Sequence, residues 1–226
     1  MIGRNMEFNE MESSVTQKGI FITFEGPEGS GKSTHIRLVS EWLKQEGKPV
    51  VVTREPGGTA IGSQIRNFLL DPTTMGMAPL TELLLFCADR VQHIEELIAP
   101  ALKEGTIVLC DRYVDSTIAY QVGGKQLPES LVLEITNISG TSFVPDLTIM
   151  LDVNPAIGLT RATRDSTDRF EQESLAFHQR VRAKYLEIAK REPDRVKVVD
   201  TTDCSIETVQ ESIRKIVTEG ISDGSH

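Results

Sequence analysis

The run Gly26-Pro27-Glu28-Gly29-Ser30-Gly31-Lys32-Ser33 constrains this chain more than any other. Its spacing, G-x-x-x-x-G-K-[ST], is that of a phosphate-binding loop, and the chemistry dictates the residues. Glycines let successive backbone N–H groups turn inward around phosphate oxygens. The Lys32 ammonium reaches the outer phosphates, and the Ser33 hydroxyl suits a Mg²⁺ ion. Gly26, Pro27, Glu28, Gly29, Ser30, Gly31, Lys32, Ser33 and Thr34 are therefore the expected triphosphate site. The flanks match. Ile20 to Phe24 read as a buried strand, and Ile36, Val39 and Leu43 recur at helical spacing until Gly47. The helix N-terminus adds partial positive charge where phosphate sits, which a plain glycine-rich turn would not supply.

Further apolar runs read as strands at Val50–Val52, Ile107–Leu109, Leu147–Leu151 and Val196–Val199. Helical spacing appears over 61–70, 80–99, 128–139, 155–163, 174–190 and 206–219. Pro128 and Pro155 suit first helical positions, with Asn154 as a cap. This alternation predicts an α/β fold: a P-loop kinase with a five-stranded parallel sheet, helices on both faces and a short lid. The expected organisation is one domain over 19–220, with a disordered extension at 1–18 and a loose tail at 221–226. In such a sheet ligands gather at the carboxyl ends of the strands. That places Glu25, Arg54, Asp111, Arg112 and Asp152 at one edge.

The net charge of −9 argues against general nucleic-acid binding, so charge must reverse locally around a bound polyanion. Arg54 and Arg112 follow strands, and Arg90 closes a helical stretch; guanidinium groups clamp phosphate at two points. Asp111 follows an apolar strand as a metal-orienting acid does, the alternative being a cap on the next turn. Glu25 suits the metal shell, the orientation of an acceptor, or a buried ion pair. The polar segment around 161–170 has no periodicity and reads as a lid that excludes water. No arginine stands between Pro27 and Ser30, so Arg161 and Arg164 are the expected catalytic cations beside Lys32. Cys87, Cys110 and Cys204 are widely spaced and read as buried, unpaired thiols of a reducing, cytoplasmic compartment. No apolar run is long enough for a membrane span.

Several blocks together resemble the thymidylate kinase family. They are Phe24-Glu25-Gly26 into the loop, Thr53-Arg54-Glu55-Pro56-Gly57-Gly58-Thr59, Leu85-Phe86-Cys87-Ala88-Asp89-Arg90, Asp111-Arg112-Tyr113 through Gln121, and Asp168-Arg169-Phe170-Glu171. The resemblance implies transfer of the ATP γ-phosphoryl group to dTMP with Mg²⁺, in a homodimer. It implies that Phe86 stacks on thymine and Arg90 bonds the base. Arg54 and Arg112 would hold the dTMP phosphate, with Pro56, Ser116, Thr117, Tyr120 and Gln121 around the nucleoside. Ser33, Asp111 and Glu25 would attend the metal, and Glu25 the acceptor; either lid arginine, Arg161 or Arg164, would be the catalytic one. Cys87 stands where the family often has an aromatic. A guanine switch would carry Asn-Lys-x-Asp after a strand, and a transport ATPase Leu-Ser-Gly-Gly-Gln; neither occurs here.

Overall fold

Among the described residues five strands, β1 (Phe21–Glu25), β2 (Val50–Arg54), β3 (Ile107–Asp111), β4 (Leu147–Asp152) and β5 (Val196–Asp200), pair in the order β2-β3-β1-β4-β5. Every pairing is parallel. The computed structural model describes residues 19–74, 76–139, 143–162 and 169–223. The expected extension at 1–18 lies outside them.

Alternation along β1 explains the layers. Ile22 and Phe24 are fully buried on one face, against Ile36, Val39 and Leu43 of α1 (Lys32–Gln45). Val209, Ile213 and Val217 of α9 (Ile206–Asp223) join the same cluster. Phe21, just before them, faces the other way with Val108 and Cys110. A strand buried on both faces is continuously apolar, which is why β1 and β4 were legible. Each fully buried Phe or Leu contributes about 1.5–3 kcal/mol by removal from water.

The remaining helices are α2 (Ala60–Leu70), α3 (Pro79–His93), α4 (Ala99–Lys103), α5 (Val114–Thr117), α6 (Glu129–Ile138), α7 (Pro155–Ala162) and α8 (Leu175–Arg191); of these, α4 packs with Phe21 and α8 with Met150 on the second face. Asn154 caps α7 as expected, its Oδ1 accepting from Ala156 N–H at 3.0 Å. Pro128 precedes α6 instead of opening it.

The expected single helix over 80–99 is not continuous. After α3 the chain widens to a π-helical stretch over Ile94–Ile98, with Ala99 N–H donating to Ile94 C=O, and then resumes as α4. Pro100 supplies the cause: it has no N–H, and its ring would crowd the carbonyl of Glu96 in a regular turn. A second helix was not foreseen. It runs as α5 and then as a π-helical stretch over Ile118–Gly124.

The tail at 221–226 also needs correcting. α9 continues to Asp223, because Ile221 packs on the core and Ser222 Oγ donates to Thr218 C=O at 2.8 Å. Cys87 and Cys110 are buried free thiols as expected, but Cys204 is exposed.

Candidate active site

At the carboxyl edge of the sheet, the loop after β1 closes on Lys32. Its ammonium donates to the carbonyls of Gly26 (3.1 Å) and Pro27 (2.9 Å) and to Ser30 Oγ (3.3 Å). Burial and then the neighbouring Arg112 charge lower the Lys32 pKa to about 8, against the pull of Glu28. Gly29 adopts φ 67°, and a Cβ there would sit 1.9 Å from the Gly158 carbonyl of α7. Only glycine fits where the loop meets that helix.

Ser33 Oγ donates to Asp111 Oδ2 at 3.1 Å. Asp111 Oδ1 is buried with no hydrogen-bond partner among the described residues. An oxygen pair with one unused carboxylate oxygen suits Mg²⁺, which takes few protein ligands and completes its shell with water and phosphate. No group of three or more His, Cys, Asp or Glu suited to a metal occurs among the described residues, consistent with so sparse a set. Glu25 ends β1. Tyr113 N–H donates to its Oε1 at 2.7 Å, and Ser116 (2.5 Å) and Tyr185 (3.1 Å) donate to its Oε2. Its partners are thus an amide and hydroxyls, not an arginine. Burial and then Asp115 raise its pKa to about 7.

Arg112 sits beside it with φ 69°, an unfavourable conformation for a side-chain residue. Its guanidinium donates to Gly26 C=O (3.0 Å), Ser116 and Tyr185 (both 3.2 Å) and Glu28 Oε1 (2.7 Å). Tyr120 also donates to Glu28 Oε1 at 2.7 Å. Burial opposes ionisation of Glu28, but Arg112 and Lys32 outweigh it and hold the pKa at about 2. Arg54, at the end of β2, is exposed and makes no hydrogen bond or ion pair among the described residues.

Two clefts meet here. One has about 1000 Å³ of space open to solvent and is lined by Gly29, Lys32, Ser33, Thr34, Arg54 and Asp111. The other has about 590 Å³ and is lined by Pro56, Phe86, Arg90, Thr117, Tyr120 and Gln121, with Phe170 as a wall. Glu28, Glu55, Arg66 and Arg112 border both. Phe86 leans on Phe170 with ring centroids 6.1 Å apart, and Tyr120 meets Phe170 edge-on at 5.7 Å.

Three buried polar atoms of residues lining the second cleft have no partner among the described residues: Arg90 Nη1, Gln121 Oε1 and the Tyr113 hydroxyl. The orientation of Gln121 follows from its neighbour. Glu82 is ion-paired with Arg169 (2.6 Å) and is an acceptor, so Gln121 Nε2 donates to it at 2.8 Å and leaves Oε1 free.

Ser116, Thr117, Tyr120 and Gln121 are expected site residues, and all lie on the helix that was not foreseen. Asp152, at the end of β4, is spent on a two-point pair with Arg182 (both bonds 2.7 Å). Arg161 donates to the carbonyls of Thr201 (3.1 Å) and Thr202 (2.7 Å), against the loop after β5. Arg164, with residues 163–168, lies outside the described residues. Glu55, Arg66, Tyr185 and Phe170 were missed as site-building residues. Glu55 is a polar residue in the connection after β2, Arg66 a polar residue on α2, and Tyr185 projects from a helix whose apolar spacing reads only as core.

A family model described as thymidylate kinase matches residues 24–213. The thymidylate kinase of Symbiobacterium thermophilum is 48% identical over 200 residues, covering 88% of this chain and 93% of the relative. That of Pelobacter propionicus is 45% identical over 216 residues, covering 92% and 98%. The crystal structure of thymidylate kinase from Ehrlichia chaffeensis superposes with a TM-score of 0.73 at 35% identity, covering 89% of this chain and 99% of that one.

Proposed function

This chain belongs to the thymidylate kinase family, and from that membership we propose how its two joined clefts perform the reaction. The enzyme transfers the γ-phosphoryl group of ATP to dTMP, giving dTDP and ADP, a step of dTTP biosynthesis. The loop cleft receives the triphosphate of ATP, and the Phe86 cleft receives the thymine nucleotide. The two phosphate ends meet at the shared wall of Glu28 and Arg112. An oxygen of the dTMP phosphate then forms a bond to the γ-phosphorus as the β,γ-bridging bond breaks, and ADP leaves with that electron pair.

The observation that carries the assignment is the pair of unpartnered atoms, Arg90 Nη1 and Gln121 Oε1. A donor and an acceptor lining one cleft complement an imide edge, with its carbonyl oxygen and N–H. Cytosine presents no N–H at that ring position and would leave the Gln121 oxygen unsatisfied. Phe86 supplies the stacking face. Arg54 and Arg112 take the acceptor phosphate, which competes with Glu28 for the Arg112 guanidinium. Lys32, with Arg161 or Arg164 from the lid, offsets charge on the transferring group. Tyr120 packs beside the sugar. Glu25, raised toward neutrality and held by Ser116 and Tyr185, orients Arg112 and the acceptor side.

Mg²⁺ would be held by Ser33 and Asp111, and when bound it neutralises phosphate charge. We place Glu25 outside that shell, since both its oxygens already accept protein donors. We read residues 19–220 as one catalytic domain, with the lid at about 161–170. We assign the enzyme to the cytoplasm, on the support of its unpaired cysteines; among the described residues no helix is long and apolar enough to cross a membrane. A second copy of the chain completes the assembly.

The test is ADP production in a coupled assay with dTMP, dUMP, CMP and thymidine as acceptors. Turnover should be greatest with dTMP, weak with CMP and absent with thymidine, which has no phosphate for Arg54 and Arg112. No ADP formation with dTMP and Mg²⁺ would overturn the reading.

A further inference from the structure

Behind the thymine cleft lies a buried relay that the phosphate chemistry does not use. His93, the last residue of α3, is fully buried. Its Nε2 is 2.6 Å from Thr53 Oγ1 of β2, and its Nδ1 is 3.0 Å from Glu55 Oε1. The other Glu55 oxygen accepts from Arg90 Nε at 2.9 Å, and Arg90 Nη2 donates to Thr117 Oγ1 at 2.8 Å. Thr53, Glu55, Arg90 and His93 are each no more than 7% exposed. The chain Thr53–His93–Glu55–Arg90 ends at Nη1, the nitrogen left for the base.

The chemistry sets direction along this chain. Glu55 is paired with Arg90 and accepts at both oxygens, so the ring donates from Nδ1 and Nε2 receives the Thr53 hydroxyl. A carboxylate held at one oxygen turns about its last bond; held at both, its plane is fixed. The guanidinium meets that carboxylate through one bond, Nε to Oε2, and Thr117 holds Nη2, so the two contacts together set its plane. The backbone makes room for the ring. A Cβ on Gly58 would sit 2.4 Å from His93 Nε2 and 2.7 Å from Thr53 Oγ1. Asp89, also on α3, accepts Gly57 N–H at 3.0 Å and ties the same loop to the same helix. The two sequence blocks Thr53–Thr59 and Leu85–Arg90 are thus joined through a residue just beyond the second of them.

We propose that His93 is a positioning residue for base recognition: it fixes Glu55, and through Glu55 the Arg90 guanidinium, in the plane that meets the pyrimidine carbonyl. The proposal rests on the reading of Arg90 as the base contact. Its test uses steady-state kinetics with dTMP and CMP on purified variants whose melting curves remain cooperative. His93→Gln sets an amide near Nε2, keeping Thr53 bonded but leaving Glu55 Oε1 without its donor. It should raise KM for dTMP by about 10- to 100-fold, the cost of one unmade buried bond. The kcat and the KM for ATP should stay within about threefold, and the preference for dTMP over CMP should narrow. His93→Asn sets its amide near Nδ1, restores the donor to Glu55 and should recover most of the loss. Should His93→Gln fail to fold, Thr53→Val removes only the far anchor and should shift KM for dTMP in the same direction by a smaller factor.

An unchanged dTMP KM in folded His93→Gln would overturn the proposal. So would equal losses toward ATP and dTMP, or no recovery in His93→Asn. Lack of dTMP turnover in the unsubstituted enzyme would remove the parent reading; turnover with unshifted variants removes this proposal alone.

Discussion

Lys32 and Glu25 are both buried ionisable groups, and burial first, then a like-charged neighbour (Arg112 for Lys32, Asp115 for Glu25), pushes each toward its neutral form. Lys32 faces carbonyls that cannot neutralise it and a like-charged Arg112. Its charge is needed only when phosphate arrives. Lys32→Ala should lower kcat by about 100-fold or more while the melting temperature changes little, since the side chain's burial is costly without its ligand. Retained turnover would refute the role of the loop. Glu25 is raised from 4.5 to about 7, so between those pH values the folded chain holds more protons than the unfolded one. Its contribution to stability is therefore present at low pH and declines as pH rises through the window, by at most about 1.4 kcal/mol for each pH unit. Denaturant titrations at pH 5 and pH 7 should show this slope in the unsubstituted protein and a flatter one in Glu25→Gln. Equal slopes would remove Glu25 as the titrating group.

At the level of elements, the lid contains the remaining question. Arg161 lies in the last turn of α7 and is held against the carbonyls of Thr201 and Thr202, and its neighbour Ala162 lines the loop cleft. Arg164 is the other candidate. Arg161→Ala should raise KM for ATP several-fold with kcat nearly kept. Arg164→Ala should lower kcat by about 10³-fold or more with little change in either KM. The reverse pattern would exchange the roles. The helix from Val114 to Gly124 shows why part of the site was illegible. Its first turn is β-branched and polar, poor helix formers, and no side chain caps it locally. The capping partner is the Glu25 carboxylate from β1, which takes Tyr113 N–H from 88 positions away. Local spacing cannot report a start signal of that kind. The residues on this helix came into view only through family resemblance, whereas Lys32, Ser33 and Asp111 follow from local spacing alone.

Across the whole molecule, the strands and most helices were legible because a doubly covered parallel sheet needs apolar runs and α1, α8 and α9 need one apolar face. What spacing could not reveal were long-range polar pairings such as Arg195 with Asp115 (2.8 Å). The pattern also leaves apolar surface unexplained. On α2, Ile61 and Phe68 are 55% and 54% exposed, seven positions apart on one stripe. On α3, Leu80, Leu84 and Val91 are 43%, 51% and 47% exposed on another. A two-fold dimer covers such stripes with copies of themselves, which the proposed homodimer requires. Leu84→Asp should therefore convert the enzyme from twice the 25.0 kDa chain mass to the single mass in light scattering at micromolar concentration. Because Phe86 and Arg90 line the second cleft from the same helix, and that cleft is the proposed thymine site, loss of the partner should also raise KM for dTMP more than KM for ATP. An unsubstituted enzyme already at the single mass, or a Leu84→Asp variant still at the double mass, would place the subunit contact elsewhere or remove it.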